Sequence, residues 1–539
     1  MSRQGITGRS WRAAALGLAF VLVFGACGQA APGGTAGTSA GPSQAVPKKG
    51  GTLTVVQPAE PFSFDSRIDP KMEGIEVVMN VLDPLINFDP ATRKLVPALA
   101  KSWTVAPDGL RYEFQLREGV KFSDGTPFSA ADVLFTFDFL TGKEKGGAYV
   151  SQFEPFIDSV TAPDPSRIVI AMKRPFTDFP ELLARLWATR ILSKATVQKA
   201  GKDFGATTTL GTGPFMIKEW IKGDSLTLVR NPNYWGQAAY LDEVVYRRIP
   251  DGAARLIQAK SGQADLVYQP PLDQLDQATS DPKLSVLSVE GNPIVFMRFN
   301  TSSPLFKDLK ARQAVLYALD ADKIRSAAYG DNATTARDFL PPWHWASDKD
   351  FAGLRPDADK AKTSLAAAGF TAAAPMTFNL TMNNESEFTQ LGTLIQGQLK
   401  AFGIQANLKP LDPATLNDLE LKKPAEYQAS ISRFLLPTGV TDDYMFKQYA
   451  GAGPLNRTYL NQPGGLQMAD IGKLLDDARV APDRDSSKKL YRQVVDKLTQ
   501  ISIALPIAFK KNVNIINKRV HDLYVQGTDA ELLREVWVD

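Results

Sequence analysis

The sequence holds one cysteine, Cys27, and two histidines, His344 and His521, in 539 residues. A lone cysteine excludes an intrachain disulfide and a cysteine-rich zinc site. Two histidines far apart in sequence form neither an H-E-x-x-H pair nor a Cys/His cluster, so no metal site is expected, and nickel or haem is disfavoured as cargo. Excess charge of one sign is also missing. The formal charge is +3, but Arg3, Arg9 and Arg12 precede Cys27 without an acid beside them, and beyond them 58 basic face 58 acidic residues. No basic patch calls for nucleic acid. The longest leading apolar run, residues 13–24, is too short to span a bilayer comfortably. Internal repeats are absent, which argues against a purely adhesive or structural protein. Catalytic signatures are equally scarce. Gly37-Thr38-Ser39-Ala40-Gly41 matches G-x-S-x-G, but no strand precedes it and no helix follows. With 58 acids some carboxylates will always fall close together, so composition lends a glycosidase no support.

What is present suits a soluble globular protein of two to four domains, with 44% hydrophobic and 22% charged residues. A basic start, the apolar run and Gly25-Ala26-Cys27 read as a signal peptide over residues 1–27. Its end resembles a bacterial lipoprotein processing box, which implies lipidation at Cys27 as the mature start; Phe24 departs from the usual Leu or Val. Residues 28–50, rich in Gly, Ala, Ser and Pro, cannot bury a core and read as a flexible tether.

Residues 99–140 are the most telling stretch. Pro107-Asp108-Gly109 is a turn signal. Leu110, Tyr112, Phe114 and Leu116 alternate with charged and polar residues, the period of a half-buried strand. Residues 120–122 are expected to return antiparallel after Glu118-Gly119. Ser129 and Asp132 then form a capping-box-like helix start, with Val133, Leu134, Phe137 and Leu140 on one face.

This stretch, SWTVAPDGLRYEFQLREGVKFSDGTPFSAADVLFTFDFL, resembles the signature of family 5 extracellular solute-binding proteins. Support comes from Gly211-Thr212-Gly213-Pro214-Phe215 with Arg230-Asn231-Pro232-Asn233-Tyr234-Trp235-Gly236, and from Arg312-Gln313-Ala314 followed by Ala318-Leu319-Asp320. The resemblance implies an α/β, two-lobed periplasmic-binding-protein type II-like fold with a hinge and an inserted α+β subdomain in the first lobe. Lobe 1 is expected at 51–78, the insertion at 79–209, lobe 1 again at 210–294, lobe 2 at 295–505 and a return to lobe 1 at 506–539. Along these pieces a helix is expected over 181–191, a crossover strand over 295–300, one long helix over 309–328 and a return strand over 503–508.

The resemblance further implies no enzyme and no cofactor. It implies a substrate-binding subunit of an ABC importer, a monomer, lipid-anchored on the outer face of the cytoplasmic membrane in a periplasm or at a cell surface. Such a subunit captures a small solute, most often an oligopeptide, and delivers it to a membrane permease. An oligosaccharide ligand is the alternative and a secreted hydrolase a distant one.

Candidate ligand residues follow. The resemblance places Pro58, Ala59 and Glu60, after the first strand, near the ligand; a plain surface loop is the other reading. Tyr268 and Gln269 end a strand, and open α/β sheets bind ligands beyond the carboxyl ends of their strands. Peptide-binding relatives carry Trp and then Asp near residues 429–449, the Asp pairing with the peptide ammonium. Here Arg433 and Phe434 stand in that segment, and neither the tryptophan nor the first aspartate is in place. Asp442 and Asp443 either substitute through a longer loop or are solvated loop acids. Arg433 would favour an anionic or hydroxyl-rich ligand. Tyr234, Trp235, Trp343 and Trp345 are stacking platforms or, more ordinarily, packing residues.

Overall fold

The computed structural model describes residues 46–539, apart from 69–70, 90–91, 93, 207–208, 436–439 and 525–531 and the side chains of Lys71 and Asp443. Cys27 with its processing box, most of the tether, the family-like Asp69-Pro70, and Leu436-Pro437 lie outside the described residues.

Two long antiparallel strands, Leu284–Phe299 and Ala504–Asn517, run through the middle of an eleven-stranded sheet. On one side of them lie Leu266–Tyr268, Thr52–Gln57, Glu243–Arg248, Ser225–Arg230 and Phe215–Ile221, in that order. On the other lie Ala429–Phe434, Thr377–Asn383 and Gln405–Leu411. Each side has its own buried apolar clusters, one including Leu53, Val55 and Leu266 and another Val295, Phe378 and Leu391. The sheet therefore belongs to two lobes joined by two strands, an arrangement that hinges.

The joint has a visible cause. Between Glu290 and Ile294 the register shifts, so Gly291, Asn292 and Pro293 bulge opposite Lys510. Proline has no N–H for the ladder, and a Cβ on Gly291 would lie 2.2 Å from the Lys510 carbonyl oxygen. Both crossing strands extend well beyond the segments expected from sequence. Polar residues at 290–293 and 510–512 break the apolar pattern where the chain passes between lobes.

The stretch from 100 to 172 forms a four-stranded antiparallel sheet, in the order Ala100–Val105, Arg111–Leu116, Arg167–Met172, Ile157–Asp164. Tyr112, Phe114 and Leu116 point into its core as the alternation predicts, whereas Leu110, the first residue of the alternation, precedes the strand and is exposed. Each such side chain contributes about 1.5–3 kcal/mol on burial. Helix Ala130–Leu140 begins where the Asp132 carboxylate accepts from the Ser129 N–H at 2.9 Å and its hydroxyl at 3.0 Å.

Three local expectations need correction. Val120 and Phe122 do not return along Arg111–Leu116; they pair with Thr126 and Phe128 around Asp124-Gly125 (2.8 and 3.0 Å). The helix expected over 181–191 is Phe179–Arg185 followed by a single turn, Trp187–Thr189. The long helix expected over 309–328 is two, Leu309–Tyr317 and Ala321–Tyr329, because the Asp320 side chain caps the second by accepting from the Lys323 N–H at 3.1 Å.

Candidate functional site

The parallel strands of each lobe end toward the hinge. Gln57 pairs with Arg248, and Val56 with Val267 next to Tyr268. Phe434 pairs with Ile294, just beyond the bulge. The loops after Gln57 and Tyr268 therefore approach the joint from one lobe, and the end of strand Ala429–Phe434 from the other. This is the strand-end position at which open α/β sheets hold ligands.

In the first wall, Glu60 accepts from the Gly223 N–H at 2.8 Å. Pro58 and Ala59 are half-buried beside it. Gln57, Glu60, Trp220, Asp224 and Arg248 line a shallow notch open to solvent. Tyr268 is buried, while Gln269 is exposed and left-handed at φ 49°. Arg255 holds that conformation by donating to the carbonyls of Ile249, Pro250, Tyr268 and Gln269. A buried guanidinium thus fixes the loops after the two strands that flank Thr52–Gln57, and burial lowers its pKa.

In the second wall, Phe434 is tilted against Tyr444 with ring centres 5.1 Å apart. Arg433 does not stand alone. Its guanidinium lies 3.6 Å from Glu387 and 4.0 Å from Glu385. Glu387 also accepts from Lys510 at 2.8 Å and from the Tyr329 hydroxyl at 2.7 Å. Sequence reasoning missed Glu385, Glu387, Tyr329 and Lys510. The signal was available: Glu385 and Glu387 follow strand Thr377–Asn383 directly, at another strand end.

Asp442 is not a solvated loop acid. It lies buried in helix Thr441–Tyr449, its carboxylate 2.5 Å from Arg479. Asp443 is the next residue of that helix. The aromatic platforms are engaged in packing. Trp235 donates to Asp83 at 2.8 Å and carries Arg117 over its ring. Trp343 donates to the Gly291 carbonyl at the hinge, at 3.0 Å. Trp345 lies edge-on to Tyr491. Gly211 and Gly213 serve close approach, since a Cβ on either would meet the Val81 carbonyl group.

Both histidines are held within the fold. His344 is buried, accepting from the Ala346 N–H and lying 3.2 Å from the Thr441 hydroxyl. His521 stacks on Trp537 and lies 3.1 Å from Asp539. Among the described residues no group of His, Cys, Asp or Glu is placed to hold a metal ion, and no helix is long and apolar enough to cross a membrane.

This architecture has counterparts among known proteins. Heme-binding protein A of Haemophilus influenzae is 26% identical over 549 residues, covering 95% of this chain and 96% of that protein. The probable D,D-dipeptide-binding periplasmic protein DdpA of Escherichia coli is 26% identical over 489 residues, covering 88% and 91%. Among solved structures, Helicobacter pylori DppA in complex with the peptide STSA is similar in fold at TM-score 0.79 and 24% identity, covering 91% of this chain and 98% of that one. NikA from Brucella suis in complex with Fe(III)-EDTA gives 0.81 at 20% identity, covering 91% and 100%. Residues 94–455 match the family described as bacterial extracellular solute-binding proteins, family 5 Middle. With two lobes, two crossing strands and that match over most of its length, the chain belongs to the family 5 extracellular solute-binding proteins.

Proposed function

We propose that this chain is the lipid-anchored substrate-binding subunit of an ABC importer. It closes its lobes on a short peptide and delivers it to a membrane permease. The observation that carries the reading is the convergence of parallel-strand ends from both lobes on one two-strand hinge. The peptide would lie against Pro58, Ala59, Glu60, Tyr268 and Gln269 on one side and Arg433, Phe434 and Asp443 on the other. Asp442 would act from behind this wall, through Arg479. Relatives named for dipeptides and di- or tripeptides support the ligand class. His344 is buried and His521 is stacked on Trp537, which favours a peptide over a cargo held by imidazole. Cys27 after Gly25-Ala26 supports the lipid anchor.

The test is a thermal-shift panel on the full chain, with di- to pentapeptides, oligosaccharides, haemin and nickel–histidine. A ligand at 100 times its Kd adds about 2.7 kcal/mol, a shift of several degrees. Shifts confined to peptides support the reading; a shift confined to sugars, haemin or nickel–histidine overturns the peptide assignment. Mass spectrometry of the membrane-extracted protein checks the anchor: an unmodified Cys27 rejects it.

A further inference from the structure

Among the described residues, the inserted sheet's surroundings also meet the second lobe away from the hinge. The Thr177 N–H donates to the Arg479 carbonyl at 2.9 Å, and the Thr177 hydroxyl to the Ala481 carbonyl at 2.6 Å. Arg484 forms an ion pair with Glu181, whose side chain is 12% exposed. The Asp178 carboxylate accepts from the backbone N–H of Asp442. Between these contacts the Arg479 guanidinium lies 4.5 Å from the ring centre of Phe156, on the first lobe's insertion, and 3.7 Å from that of Phe446, on the second lobe. Asp442 holds the same guanidinium from the side. Val440 and Val480 of the second lobe complete the seal against the insertion's apolar cluster.

The covalent chain passes between lobes at the crossing strands, so this second bridge is made of non-covalent contacts and can part. We propose that the Thr177–Glu181 segment and the Arg479–Arg484 segment form a latch that holds the lobes closed, with Arg479 clasped between an aromatic ring of each lobe. The latch rests on the capture reading and supplies its regulation: opening for uptake or release must break it.

Its composition makes it sensitive to protons. Asp178 faces Glu181 on its own helix, Arg484 and Tyr491 on helix Arg484–Gln500, and Asp442 on helix Thr441–Tyr449, which Arg479 at the end of helix Ala469–Arg479 pairs in turn. Burial, with the charge of Glu181, pushes the Asp178 carboxyl up to about 7 in the closed form. With the lobes apart it faces water, where an aspartate titrates near about 4. The closed form therefore binds the extra proton. Closure meets no penalty below the open-state value, weakens as pH rises toward about 7 and levels off above it.

The test uses the full chain without ligand, so it can fail while peptide capture stands, and the reverse. Hydrogen exchange reads the peptic segment that contains Thr177, and X-ray scattering reads the radius of gyration. Arg484→Gln should speed exchange there roughly fivefold and raise the radius of gyration. The swap Glu181→Arg with Arg484→Glu should restore both. Thr177→Val removes a hydroxyl contact and leaves every charge in place; it should act in the same direction as Arg484→Gln, with unchanged melting in the remainder of the chain. From pH 5 to pH 8 the wild-type chain should expand and Asp178→Asn should not. Unchanged exchange in both single variants overturns the latch. So does faster exchange at constant radius of gyration, which would mark a local contact that frays while the lobes stay together.

Discussion

Lys510 Nζ lies 2.8 Å from Glu387 Oε2, so a lysine on the second crossing strand is tied to the first turn of helix Ser386–Lys400 beside the bulge. The Tyr329 hydroxyl and Arg433 converge on the same carboxylate. One acid thus joins the hinge strand, a helix start and the edge of the second wall. Burial alone would push the Glu387 carboxyl up; Lys510, Tyr329 and Arg433 outweigh it and hold the value below the ordinary 4.5.

The sign of the pH effect follows. A carboxylate with a lowered native pKa contributes stability that is complete above its unfolded value and fades as pH falls through the native one. Thermal melts of the wild-type chain should therefore lose stability on the acid side of about 4.5. Glu387→Gln should flatten that part of the profile and cost about 1–3 kcal/mol at neutral pH, because Lys510 and Arg433 lose their anion. An identical acid limb in the variant would rule out the cluster as its source.

Trp235 is a structural residue in this arrangement. Its indole N–H donates to Asp83, and Thr212 donates to the same oxygen at 3.0 Å. Burial raises the Asp83 pKa, and these donors work against the rise. Trp235→Phe should destabilise the chain by about 1–3 kcal/mol in denaturant melts, by leaving a buried carboxylate short of a donor. Peptide affinity should stay the same; a ligand platform would show the opposite pattern.

Glycine substitutions separate close approach from backbone conformation. Gly211→Ala would put a Cβ 1.9 Å from the Val81 carbonyl oxygen and should cost more than about 3 kcal/mol. Gly119 has φ +73°, and nothing lies within 4 Å of the place a Cβ would take. Gly119→Ala should cost about 1 kcal/mol, the conformational term alone. Equal losses in denaturant unfolding would contradict this division.

Much of the fold was legible because its signals are local. Tyr112, Phe114 and Leu116 mark their strand by alternation, and Ser129 with Asp132 marks a helix start. The break at Asp320 was hidden because apolar periodicity runs on through the cap. The length of the crossing strands was hidden because residues at the hinge bury no single face. At the candidate site, strand-end logic named Tyr268 and Gln269, and the departure from the family's 429–449 segment named Phe434, which the structure puts at the end of a strand. Glu387 and Lys510 are far apart in sequence and meet through packing alone, and the burial of Asp442 depends on Arg479 from another helix.

That last pairing decides a question of ligand chemistry. An ammonium anchor in the second wall needs a carboxylate free to face the cleft. Residues 434–441 contain no acid, the Asp442 carboxylate is committed to Arg479, and the wall's other acids, Glu385 and Glu387, face the Arg433 guanidinium at 4.0 and 3.6 Å. A bound peptide should then be held through its backbone and side chains rather than its amino terminus. Free and N-acetylated forms of one tripeptide should bind with Kd values within about threefold of each other by calorimetry, a difference of under about 1 kcal/mol. A loss of tenfold or more on acetylation, abolished by Asp443→Asn, would instead place the anchor at Asp443. Arg479→Lys distinguishes the two arrangements further. Lysine keeps the charge but lacks the planar group that stacks on Phe156 and Phe446. It should weaken binding of both forms equally, because it loosens closure without touching the amino terminus.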